Sequence, residues 1–185
     1  MNISILLPYK ENFSPAYHGA VSLFVYETSK ISKYKKNITV FGNTIYKNKF
    51  DLKYVNIDLN KDIFTSQTKL YVAKFINLER KYESSIIEIH NRPSYIHILN
   101  SNLKGRVFTL YFHNDPLSMS GSKTISERKE ILNKIDKLIF ISEWVKKRFF
   151  KGLEDLSTNK TEIIYHSVEP RNKIKKLKNL IILHM

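Results

Sequence analysis

The chain contains no cysteine. That excludes disulfides, a thiol nucleophile and any metal site built on thiolates, and it fits a cytosolic setting. Glycine and proline are sparse, at 5 each in 185 residues. No Pro/Gly-rich linker, internal repeat or low-complexity tract interrupts residues 1–169. The G-x-S-x-G elbow that displays a hydrolase nucleophile is missing too. No apolar run approaches the roughly 20 residues needed to span a bilayer. The opening Met1–Pro8 has no basic n-region and reads as a first strand, not a signal peptide. The 6 histidines show no metal-ligand spacing, so no metal site is expected.

What is present is an ordinary globular composition, 42% hydrophobic and 26% charged, at a length that buries a full core in one domain. Basic residues outnumber acidic ones 31 to 17, giving a net charge of +14. Such a surface attracts anionic partners. The bland account is equally open: Lys, Asn and Ile are abundant together, as AT-rich coding DNA produces, and the lysines are scattered. No nucleic-acid motif is present and the aromatics sit mostly in apolar runs, so no nucleic-acid partner is expected.

Apolar runs of strand length alternate with helix-period segments. Residues 3–7, 37–42, 53–57, 85–89, 106–112, 137–141 and 162–165 read as strands. Helices are expected from Ala20 to about Lys35, over 66–82, 94–100 and 143–151, and after Thr124, where Thr124 and Glu127 fit a capping box. Ser142 is a candidate N-cap. This alternation predicts an α/β fold, a Rossmann-like parallel sheet with helices on both faces. Pro170 opens a charged stretch leading to the apolar Leu180–Leu183. Residues 170–185 are therefore expected to be a linker and the first strand of a second domain that the chain does not complete.

The polar residues cluster where strands end. His90, Asn91 and Arg92 close one strand; His113, Asn114 and Asp115 close the next; Ser142 and His166 follow two more, and Gly19 lies between the first strand and first helix. In order, the Gly19 loop, the strand ending His90–Pro93, the Phe112–Asp115 tip, Asp136–Ser142 with its helix, and Ile163–Glu169 resemble the N-terminal, acceptor-side domain of the family 4 retaining glycosyltransferases, which have the two-Rossmann-domain GT-B architecture. The resemblance covers residues 1 to about 169. It departs from the family at His18, where a second glycine is usual, and at His166 and Ser167, where Asn-Gly is usual. The family's donor domain, with the residues that hold diphosphate and sugar, has no counterpart here.

The resemblance implies His113 as an active-site residue contacting the transferred sugar, a role suited to an imidazole that donates or accepts near neutral pH. The competing reading is a His bonded to loop backbone. The resemblance puts Gly19, Ser142 and His166 on the donor side, where phosphates approach a helix N-terminus. For Gly19, loop geometry alone is the alternative. His90, Asn91, Arg92, Asn114 and Asp115 fall on the acceptor side, with Arg92 offering a planar fork for an anion. Arg92–Pro93 shaping a turn is the alternative there. The helix carrying Trp144, Lys146, Lys147 and Arg148 reads either as a surface for anionic lipid headgroups at the inner face of the membrane or as a solvated face over packed Val145 and Phe149. His97 reads as a core or surface residue.

The resemblance thus implies the acceptor-binding half of an enzyme that moves sugar from a nucleotide-sugar donor to a cell-surface glycan such as lipopolysaccharide, or to a lipid-linked acceptor. It implies no separate cofactor, and inactivity without a donor domain. The alternative is a non-catalytic module that binds glycan or forms a homodimer through the face a donor domain would meet.

Overall fold

The computed structural model describes residues 1–59 and 66–165. The runs of Ile, Val, Leu and Phe form seven strands: β1 (Ile3–Leu6), β2 (Ile38–Gly42), β3 (Tyr54–Asn56), β4 (Ile86–His90), β5 (Val107–Phe112), β6 (Lys137–Phe140) and β7 (Thr161–Ile163). All pair in parallel in one sheet of order β3-β2-β1-β4-β5-β6-β7. β1, β2 and β6 carry almost no exposed side chain, which is why they read as continuous apolar runs rather than alternating ones.

Helices α1 (Ala20–Ile31), α2 (Gln67–Tyr82), α3 (Ser94–Asn102), α4 (Ile125–Lys134) and α5 (Glu143–Phe150) make the crossovers. α1 packs Val21 and Val25 on one sheet face against Ile3, Ile5, Leu7, Ile38 and Val40. α2 through α5 cover the opposite face in a larger core that includes Tyr71, Phe75, Leu99, Leu132 and Phe149. A buried carboxylate ties α2 to β1: Glu79 accepts from the Ser4 hydroxyl and, at 2.7 Å, from the Ser84 N–H.

Within the described residues the expected strands and helices are found, with ends displaced by a few residues. The first helix stops at Ile31 rather than Lys35, because Ser32 leaves the helical region at ψ 137° and residues Lys35–Asn37 form a separate 3-10 turn. The last strand lies at Thr161–Ile163, fixed by pairing with Leu138–Phe140. The Thr124–Glu127 capping box and the Ser142 N-cap are both present, the latter accepting from the Val145 N–H at 3.2 Å. Residues 166–185, including the expected linker and added strand, lie outside the described residues.

Gly121 holds the loop before α4 against the start of α3. Its φ is +92°, and a Cβ there would lie 2.6 Å from the Ser94 backbone nitrogen. Neither the dihedral nor the backbone neighbour can yield cheaply. Gly121→Ala is expected to cost on the order of 2–3 kcal/mol, read as a lower urea midpoint.

Candidate functional site

The chain runs outward from β1 to β3, then returns to place β4 on the other side of β1. The carboxyl ends of β1 and β4 therefore diverge into a crevice, the position where open parallel sheets hold ligands. His90 ends β4 at that point, and His113 follows the end of the neighbouring β5.

The backbone braces the two strand ends together. Asn91 takes a left-handed φ of 52°, donates its N–H to the Tyr111 carbonyl at 2.9 Å, and offers Oδ1 to the His113 N–H at 2.8 Å. Asn is among the few residues that tolerate this conformation. The brace brings His90 Nδ1 to 2.9 Å from His113 Nε2. The Tyr111 ring stacks on His90 at 4.5 Å between centroids, while Phe24 of α1 meets His113 edge-on at 5.0 Å. Both histidines are buried. Aromatic rings thus pack against both imidazoles.

Burial dominates the electrostatics here. It pushes the His90 imidazole down to about 3, so this ring is neutral across physiological pH. Two residues earlier on the same strand face, Glu88 keeps 22% of its side chain accessible, yet its enclosure raises the carboxyl to about 7. Glu88 Oε2 lies 3.8 Å from His90 Nε2. That nitrogen is buried and has no hydrogen-bond partner among the described residues. Tyr111 beside them is also pushed up, first by burial and then by the charge of Glu88.

The remaining expected residues are distributed differently. Gly19 is the N-cap of α1, and a Cβ there would stand 2.2 Å from Glu11 Oε1. The missing side chain lets the Glu11 carboxylate approach the helix start, where Oε1 accepts from the Ser22 N–H at 3.0 Å. An anion on a helix N-terminus is favoured by the unsatisfied N–H groups and the dipole. Arg92 turns its Nη1 back onto the Asn91 carbonyl at 2.8 Å. Asp115 accepts from the Leu117 N–H and forms a forked pair with Arg148 of α5, with Nη2 at 2.7 Å. The Arg148 hydrogen bonds hold its carboxyl below the usual range. Asn114 is exposed. Ser142 caps α5 at the end of β6, and His166 lies outside the described residues. The structure thus brings His90, Asn91 and His113 into one unit and gives Asp115 a partner on α5.

Sequence reasoning missed Glu88, Glu11 and the aromatic walls. Glu88 was signalled by being the lone acid inside a run of isoleucines, two residues before His90. Glu11 carried no local signal. Beside this unit, over the ends of β1 to β3, lies a cleft of about 650 Å³ whose lining includes Tyr9, Asn43, Thr44, Lys47, Lys49 and Asp58. Tyr9 of that lining donates its N–H to the Tyr95 hydroxyl of α3 at 3.3 Å. His97 is exposed and meets Glu130 at 3.0 Å, on the outer surface. In α5, Val145 and Phe149 are buried while Trp144 is exposed under the Arg148 guanidinium. No helix among the described residues is long and apolar enough to cross a membrane. Among them, no cluster of three His, Asp or Glu stands ready for a metal ion.

No family model matches the chain, and no curated protein matches it. Its fold is shared with HepE (Alr3699) of Anabaena, solved in complex with UDP and glucose: TM-score 0.59 at 18% identity over 91% of this chain. A second structure of HepE, with UDP, gives 0.57 at 17% identity over 89% of this chain. The chain spans 45% of the HepE chain in the first comparison and 44% in the second. At this identity the likeness is one of fold, a Rossmann-like α/β domain.

Proposed function

We propose that the chain is the acceptor-side half of a GT-B glycosyltransferase similar to the retaining family 4 enzymes, with His113 facing the sugar being transferred. The observation that carries this reading is the His90–His113 pair, 2.9 Å apart beside the crevice between β1 and β4. The shared fold with a protein solved with UDP and glucose supports it. A buried imidazole pair walled by aromatic rings is suited to hydroxyl groups, which need a donor and an acceptor at fixed directions.

In this reading the cleft over β1 to β3 takes the acceptor. Its amide, hydroxyl and lysine groups suit a polyhydroxylated chain bearing negative charge, such as a cell-surface glycan or a lipid-linked sugar. The exposed Trp144 with Lys146 and Lys147 faces lipid headgroups at the inner face of the membrane. The Glu11 carboxylate at the start of α1 yields to, or excludes, the donor phosphates that the resemblance brings near Gly19.

Retaining transfer depends on stabilising the departing diphosphate. The resemblance puts those groups in a second domain, and this chain covers less than half of HepE. The 185-residue chain is therefore expected to turn over no UDP-glucose or other nucleotide sugar. Purified protein incubated with a panel of nucleotide sugars, with free nucleotide diphosphate as the readout, tests this. Turnover that disappears in His113→Ala would contradict the division of labour while keeping the site; turnover indifferent to His113→Ala would remove both.

A further inference from the structure

All seven strands run in parallel, so the connections that enter them gather at one end of the sheet, opposite the crevice. From β3 to β5 this amino end is lined with cations. Lys33, Lys35 and Lys36 lie between α1 and β2, Lys53 stands directly before β3, and Lys104 and Arg106 lie between α3 and β5. The five lysines are exposed and Arg106 is half-buried. None of the six forms an ion pair with another described residue. The exposed acids along the same stretch are Asp51 and Glu83, so positive charge is in excess.

Helix ends account for other cations here, but not for these. The last turn of a helix carries partial negative charge that favours Lys and Arg, and Lys30, Arg80 and Lys81 stand in such turns of α1 and α2. The six lie beyond the ends of the α-helices, where that attraction has faded.

Apolar side chains are exposed among them. Ile31, the last residue of α1, is 75% exposed, and Val107 opens β5 at 42%. The Tyr34 ring, 40% exposed, lies 5.0 Å from the Lys33 ammonium. From Lys53 at β3 to Arg106 at β5 the row crosses four strand spacings, roughly 19 Å. A single phosphate or carboxylate cannot span it.

We infer that this end of the sheet is a contact surface for an anionic lipid bilayer. The ammonium groups meet headgroup phosphates, while Ile31, Tyr34 and Val107 enter the boundary between headgroups and acyl chains. A nucleic acid would also satisfy the cations, but it leaves Ile31 and Val107 in water; a bilayer accommodates both kinds of side chain. The surface is distinct from that of α5, whose Trp144 stands at the carboxyl end of β6. The inference uses no feature of the crevice and holds whether or not the chain handles sugars.

Sedimentation of the full chain with vesicles tests it, comparing phosphatidylcholine alone with an equal mixture of phosphatidylcholine and phosphatidylglycerol. The chain is expected to bind the mixed vesicles, to ignore the neutral ones, and to be released as salt rises toward ~0.5 M. A lysine near a charged bilayer contributes about fivefold to partitioning. Lys35→Gln, Lys36→Gln, Lys53→Gln and Lys104→Gln together are therefore expected to weaken binding by about a hundredfold or more. Arginine at the same four positions is expected to keep it, and an unchanged urea midpoint shows that both sets are folded. Failure to bind the mixed vesicles, equal binding to both kinds, or unaltered binding by the glutamine set overturns the inference. Binding that Trp144→Ala alone abolishes overturns it too, by assigning the contact to α5. A single-stranded oligonucleotide that binds through these lysines at ~0.15 M salt while the mixed vesicles do not would make the surface one for nucleic acid.

Discussion

Phe112→Ala is expected to remove about 3–5 kcal/mol of stability, the range for emptying a fully buried aromatic site. Phe112 ends β5 and points away from His113, into the core beneath α5. Its ring lies 5.9 Å from Phe140, stacked, and 5.5 Å from Phe149, tilted. These rings join β5, β6 and α5 into one packed unit. Truncation leaves a hole that neither the parallel sheet nor an eight-residue helix can close by moving. Urea unfolding gives the readout: a lower midpoint with an unchanged slope. A loss below about 1 kcal/mol would mean that the cluster collapses freely and that α5 is not held by it.

The second large effect is on the pH dependence of stability. Glu88 is raised from 4.5 to about 7 in the folded chain. Between those values the folded state keeps a proton that the unfolded state has given up, so Glu88 makes stability fall as pH rises through that window. Above pH 7 the loss is complete, on the order of 3 kcal/mol. His90 acts in the opposite sense. Its folded value is lowered from 6.5 to about 3, so stability falls as pH drops from 6.5 toward 3. The two slopes oppose each other between 4.5 and 6.5.

Glu88→Gln removes one of them. The variant is expected to match the wild type near pH 4.5 and to exceed it by up to ~3 kcal/mol at pH 8. Its stability then falls only on the acid side. Carboxylates held low by hydrogen bonds, such as Asp115 and Glu127, titrate alike in both proteins and cancel in the difference. Denaturant unfolding at pH 4.5, 6 and 8 checks this, and equal stabilities at pH 8 would show that the carboxyl is not raised.

How much of this was legible in the sequence depends on the range of the interaction. The sheet was legible because buried parallel strands are continuous apolar runs closed by polar tips, as in β4 and β5. Caps at Thr124 and Ser142 were legible because their partners stand three residues away. Strand ends slipped by a residue or two because pairing with a neighbour decides them: Thr161 joins β7 because it faces Leu138. The helix after Gly19 ends at Ile31 through a backbone turn that the apolar period does not encode.

The site followed the same rule. His90 and His113 were visible as strand-end residues, but their contact depends on the register that sets His90 opposite Tyr111. Glu88 stood out as the lone acid in a run of isoleucines, but its enclosure depends on neighbours distant in the chain. Asp115 finds Arg148 across 33 positions of chain. The Glu11 carboxylate reaches α1 only because Gly19 leaves room for it. His166, expected on the donor side, falls outside the described residues.

The proposed function would make the carboxyl ends of β4 and β5 the sugar-facing wall of a transferase cleft. Backbone and side-chain NMR of the full chain, titrated to millimolar concentrations with glucose and other hexoses and separately with UDP, tests it most directly. At least one hexose is expected to perturb His90, Asn91 and His113 together, His113→Ala to abolish the effect, and UDP alone to leave these residues unchanged, since the resemblance places the nucleotide's contacts in a donor domain. Hexose signals that never reach these three residues, or a response at them to UDP alone, would contradict it.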